Sequence, residues 1–151
     1  MKKLILVLII FFLSGCGYTP LYSSKDSNYK IIGIKSNVDN SLTNYIRNNI
    51  SVFSNNNAVK KLNISFNYKE EISIILKDAK GDPAKNRLSV IIDLSIFDSG
   101  DDLIVNRKFS ENFEYNIEDN KFNLKQYEKN IKLNLIEDVT QQILEFLANL
   151  K

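Results

Sequence analysis

The chain has no histidine and no tryptophan, and one cysteine in 151 residues. Without histidine the usual neutral-pH general base and the commonest metal ligand are both missing, and a Ser-His-Asp triad cannot be assembled. One cysteine forms no disulfide within the chain and no cysteine-based zinc or iron–sulfur site. There is no GxGxxG and no Walker loop to cradle a phosphate. Arginine occurs three times, and the formal net charge of +2 sits at the front, on Lys2 and Lys3. Removing those two from the 20 basic residues leaves 18 against 18 acidic ones. A neutral chain lacks the excess of Lys and Arg on which nucleic-acid binding relies, so no nucleic-acid partner is expected.

What is present begins with the apolar run LILVLIIFFL, Leu4 to Leu13, directly after the two lysines. Ten residues are about half of the ~20 that span a bilayer as a helix, so the run reads as a secretory signal rather than a transmembrane segment. LSGC, with Leu13, two small residues and then Cys16, matches the lipobox of bacterial lipoproteins. Residues 1–15 are therefore expected to be a lipoprotein signal, and Cys16 the acylated first residue of the mature chain. The competing reading, an ordinary secretory signal with a chance cysteine nearby, leaves that order of residues unexplained. Burial of acyl chains contributes about 0.8 kcal/mol per methylene, so two or three chains hold a protein on a membrane essentially permanently. Gly17 stands where an inner-membrane retention mark carries aspartate. Delivery to the outer membrane, facing the periplasm, is the expectation.

The mature chain reads as a lipidated tether, 16–28, and one domain, 29–151. YKIIGIK (29–35) is a short β-branched strand, and Leu42, Tyr45, Ile46, Ile50 and Phe53 recur at helical spacing over 39–57. Asp39, Asn40 and Ser41 are each competent caps for that helix. Leu62, Ile64, Phe66 and Tyr68 alternate along a strand, KEE interrupts, and Ile72, Ile74 and Leu76 resume the alternation. That pattern fits one long bent strand or two strands around a bulge. KGDP (80–83) marks a turn, Leu88 to Ile96 alternate to 98, and DSGDD (98–102) turns into a strand over 103–115. Asn123 with Gln126 resembles a capping box, and Tyr127, Ile131, Leu135, Val139, Ile143, Phe146 and Leu150 then mark a long helix. The order β-α-β-β-β-α predicts an α+β two-layer sandwich, with two helices on one face of a four-stranded sheet burying every apolar stripe.

Paired acids at Glu70/Glu71, Asp101/Asp102 and Glu118/Asp119 fall where loops and turns are expected and read as solvated turn residues rather than acid–base couples. No enzyme is expected, and no cofactor beyond the covalent lipid on Cys16. Lys77, Lys80, Lys85 and Arg87 cluster around the 80–86 turn, diluted by Asp78 and Asp82. They read as a solvated hairpin tip or as an anion-contacting one.

Several stretches together resemble the LPS-assembly lipoprotein family, LptE. GCGYTPLY, with Cys16, Gly17, Tyr18 and Pro20-Leu21-Tyr22, is similar to that family's opening in alphaproteobacteria. NRLSVIIDLSIFD with SGDDLI is similar to its third strand and hairpin, and FEYNIEDNKFNLKQYEKNIKLNLIEDVTQQILEFL to its final strand, loop and long helix. The resemblance implies an outer-membrane lipoprotein that plugs the lumen of the LptD β-barrel. Such a protein assists the barrel's assembly and helps pass lipopolysaccharide to the cell surface. It also implies contacts from basic residues to lipopolysaccharide phosphates. The candidates are Lys80, Lys85 and Arg87 on the hairpin and Lys121 and Lys125 before and in the last helix. The alternative is a periplasm-facing accessory lipoprotein binding small lipids for another envelope transporter. A deep apolar cavity between helices and sheet would mark that alternative, and a filled core the plug.

Overall fold

The structure, a computed structural model, describes residues 27–150. The expected signal, Cys16 and nearly all of the 16–28 tether lie outside the described residues. Four strands and two helices follow in the order β-α-β-β-β-α: β1 Tyr29–Ser36, α1 Ser41–Ser51, β2 Lys60–Lys77, β3 Pro83–Phe97, β4 Leu103–Asn116 and α2 Lys121–Ala148. The sheet order is β1-β2-β3-β4, with β1 parallel to β2 and the other neighbours antiparallel. The α+β class and element order are those read from the sequence.

The helices cover one face of this sheet. Alternation sends Leu62, Ile64, Phe66 and Tyr68 of β2, and Leu88, Val90, Ile92, Leu94 and Ile96 of β3, into one buried row after another. Ile46 and Ile50 of α1 meet them, as do Ile131, Leu135, Ile136, Val139, Ile143 and Leu147 of α2. Each such side chain contributes about 1.5–3 kcal/mol of burial. Tyr29 joins the layers: its buried hydroxyl donates to the Leu147 carbonyl of α2 at 2.9 Å. Burial also pushes that phenol up to about 12.

Both helices begin at an asparagine. Asn40 accepts from the Leu42 and Thr43 N–H groups while Thr43 Oγ1 accepts from Asn40 N–H, a reciprocal box that also accounts for the buried threonine. α1 stops at Ser51, short of 57, because the chain tightens into turns whose N–H groups reach back three residues. α2 is capped by Asn120, not Asn123, since Asn120 accepts from Phe122 and Asn123 N–H. Gly33 sits where the β1–β2 register shifts, and a Cβ there would lie 2.8 Å from Asn63 Oδ1.

Three expectations change. Glu70 and Glu71 lie within continuous β2, not in a loop, and the irregularity falls later, between Ile74 and Lys77. Apolar stripes are not all buried: Ile72 and Ile74 share the helix side with Tyr68 yet are 56% and 51% exposed, and Leu103, Phe113 and Tyr127 are also exposed. The cause is length. α1 has 11 residues, about 16 Å, whereas β2 has 18, about 60 Å. Arg107 and Glu111, which interrupt the β4 stripe, are absorbed at the edge. Arg107 stacks over Phe109 and Phe146, and Glu111 accepts from Gln142 of α2.

The two hairpin turns share one design. Asp78 Oδ1 accepts from the N–H groups of Lys80 and Asp82, and Asp98 Oδ1 from those of Gly100 and Asp102. The fourth residue of each turn has positive φ, 89° at Gly81 and 64° at Asp101. Glycine takes that conformation without the Cβ penalty and aspartate does not. Asp101→Gly is therefore expected to stabilise the protein by about 0.5–1 kcal/mol, read as a raised urea midpoint. Tyr29→Phe is expected to cost about 1 kcal/mol at neutral pH. The wild-type phenol ionises at 10 when unfolded and at about 12 when folded, so its contribution is full below pH 10 and is lost as pH rises towards 12. Urea titrations across that range should show the variant falling less steeply.

Candidate functional site

One pole of the molecule gathers most of the sequence-predicted site residues. The β2–β3 turn, the end of β4 and the start of α2 meet there: Asn116 is opposite Lys85, and Ile117 N–H donates to the Ala84 carbonyl at 3.0 Å. Lys80 is in the turn itself. Lys121 opens α2 and Lys125 lies one turn later, with no acid in the helix's first turn to offset them. Cys16, the lipidation candidate, lies outside the described residues.

Lys85 and Arg87 are two apart on β3 and therefore share the face turned away from the helices. Both reach the same carboxylate on the neighbouring strand: Lys85 Nζ to Glu114 Oε2 at 2.6 Å and Arg87 Nη2 to Glu114 Oε1 at 2.6 Å. Glu114 stands directly opposite Arg87 in the ladder. The hydrogen bonds from Lys85 and then Arg87 hold its carboxyl below the ordinary carboxylate range. Arg87 keeps its Nε buried with no partner among the described residues, so part of its donor fork is unused. The pair is thus one net positive charge with a spare donor, not two free cations. Glu114 was missed from the sequence because no spacing within β4 announces it; only the β3–β4 register does.

Nearer the middle of the sheet, on the helix side, lies a second network. Glu70 Oε2 accepts from Tyr68 Oη at 2.8 Å and from Lys132 of α2 at 2.7 Å. Burial pushes the Glu70 carboxyl up, but the Lys132 and Tyr68 bonds together outweigh it and leave a net lowering. Burial, and then Glu70, raise the Tyr68 phenol. Lys125, Lys129 and Lys132 recur at steps of four and three and so form one stripe of α2, placed over β2 by the Lys132–Glu70 contact.

The space between the layers is filled by the core side chains named above. Grooves lie at the surface: one of about 340 Å³ between the helices, lined by Ser41, Leu42, Tyr45, Leu133, Ile136 and Glu137, and one of about 460 Å³ beside Arg107 and Phe146.

The Glu114 clamp yields a pH test. A carboxyl lowered on folding stabilises above the ordinary carboxylate range, and that contribution is lost as pH falls through its folded value. Urea midpoints at pH 7 and pH 3 should show wild type losing more stability on acidification than Glu114→Gln.

No family model and no curated protein matches the chain. Solved structures do. The lipoprotein B of Nitrosomonas europaea is 13% identical, with a TM-score of 0.64 over 85% of this chain and 88% of that one. The rare lipoprotein B of Shewanella oneidensis is 14% identical, with a TM-score of 0.54 over 80% of this chain and 97% of that one. At such identities the likeness establishes a shared fold: this chain has the fold of the lipoprotein B structures.

Proposed function

We propose that this protein is an outer-membrane lipoprotein of the LPS-assembly type, anchored through acylated Cys16 and serving as the plug and assembly partner of an LptD-type β-barrel. One observation carries the reading: a chain that carries LSGC at 13–16 and GYTPLY at 17–22 takes the fold of two lipoprotein B structures. Rare lipoprotein B is another name of the LptE family. The job is non-enzymatic. The protein offers the barrel a rigid two-layer body and helps pass lipopolysaccharide to the cell surface. A filled interior supports a plug over a carrier of small lipids, because a carrier needs an apolar chamber between its layers.

Anion contact is assigned to the hairpin pole. Lys80, Lys121 and Lys125 form no ion pair among the described residues, and Lys85 with Arg87 leaves one net positive charge around Glu114. Guanidinium and ammonium groups on that pole suit phosphates, Arg by its planar fork and Lys as a point charge.

Depletion of the protein is expected to stall maturation of the barrel and reduce surface lipopolysaccharide; normal values for both would sink the proposal. Cys16→Ser should fold normally and leave the membrane fraction, whereas a variant still acylated and membrane-bound would overturn the anchor. A Lys85→Ala/Arg87→Ala double variant should retain less lipopolysaccharide when purified, with unchanged retention removing direct binding at those two residues.

A further inference from the structure

The sheet treats its edges unequally. At the start of β1 the outward backbone groups are capped: Asn55 N–H donates to Tyr29 O at 3.1 Å, and Ser54 Oγ accepts from Ile31 N–H at 3.0 Å and donates to Ile31 O at 3.4 Å. Where β1 ends, Asn37 extends the ladder by one step. Its Oδ1 accepts from Tyr68 N–H at 2.8 Å and its Nδ2 donates to Tyr68 O at 3.1 Å. Past Tyr68 the capping stops. Backbone groups alternate in direction along a strand, so Glu70, Ile72 and Ile74 point their N–H and C=O to the same side as Tyr68. β1 does not reach them, and they have no backbone partner on that side among the described residues. Ile72 and Ile74 are also the exposed apolar residues of this stretch, which α1 is too short to cover. A β-branched edge stretch without capping or proline is the form that accepts an added strand.

We propose that Glu70–Ile74 is a strand-addition site for an extended segment of another polypeptide, apolar at alternate positions and acidic overall. The chain's own amino-terminal segment does not fit, a point that rests on Cys16 being the first residue of the mature protein. Eleven residues, 16–26, then precede Ser27 and extend at most about 40 Å. Lys60 is opposite Tyr29, so Glu70 lies about 33 Å further along, leaving too little chain to pair. A second copy is disfavoured in the register that matches the apolar side chains: two-fold pairing about Ser73, which sets Ile72 against Ile74, also sets Lys69 against Lys77. The charge left for a partner is positive. Glu70 and Glu71 are already taken by Lys132 and Lys69, while Lys77, Lys125 and Lys129 form no ion pair among the described residues.

The test uses the full acylated protein in detergent and two eight-residue peptides, one alternating valine with glutamate and one alternating valine with lysine. Amide hydrogen exchange is followed at Glu70, Ile72 and Ile74. The acidic peptide should protect these amides and bind at least several-fold more tightly than the basic one. Ile72→Pro removes an N–H that the β2–β3 ladder does not use, so the fold should survive while peptide affinity falls roughly fivefold or more. Lys129→Glu, on the exposed helix surface, should weaken the acidic peptide and leave the fold unchanged. Absence of protection by the acidic peptide would overturn the proposal, as would tighter binding of the basic one. A dimer of the free protein with these amides already protected would overturn it in favour of self-pairing. Neither barrel nor lipopolysaccharide enters the experiment, so its failure is separate from failure of the plug reading.

Discussion

A helix advances about 1.5 Å per residue and a strand about 3.3 Å, and that ratio governs how much of a sheet two helices can cover. With 28 residues, α2 runs about 42 Å along β3 and β4 and closes most of their helix side. With 11 residues, α1 closes only the part of the sheet where β1 and the first half of β2 lie. Everything distinctive about the molecule follows from that shortfall. The core is dense at one pole, where Tyr29, Ile46, Ile50 and Leu147 converge; along β2 it stops near Tyr68, while under α2 it continues to Leu88 and Tyr115. Beyond Tyr68, β2 carries Glu70 and exposed isoleucines on its helix side.

The charges on this half of the sheet are arranged to offset one another locally. Glu114 holds Lys85 and Arg87 on the outer face, and Lys132 with Tyr68 holds Glu70 on the inner one. Each acid is lowered by its partners, so both networks are ionised at neutral pH. Such a surface carries a small net positive charge and is polar at short range. It suits a partner that meets it at contact distance rather than one steered from afar.

Much of this was legible in the sequence, for identifiable reasons. Leu88 to Ile96 alternate without interruption, and β3 is indeed the strand on which both antiparallel neighbours and the helices assemble. Asn40 was one of three competent caps, and the choice among them needed the Thr43 hydroxyl to answer it. Ile72 and Ile74 continue the alternation of Leu62 to Tyr68, and by pattern alone belong with them in the core. Period two says which residues share a face; it does not say whether anything covers that face. Two adjacent acids resemble a turn, so Glu70 and Glu71 look like loop in the sequence, and neither the Lys132 nor the Lys69 contact is visible in one dimension. The basic candidates on β3 were legible as a same-face pair, but their shared carboxylate was not, since Glu114 is 27 residues away from Arg87 in sequence.

The parallel pairing of β1 with β2 has a mechanical consequence. β1 begins at Tyr29, and β2 runs parallel to it and continues in the same direction to the far pole. A pull on the first residue of β1 against a holdfast at the far pole would act lengthwise on the β1–β2 ladder, loading its bonds together in shear. The same force applied across the strand would open them one after another. Tension between the two ends of this protein therefore meets it in its more resistant direction.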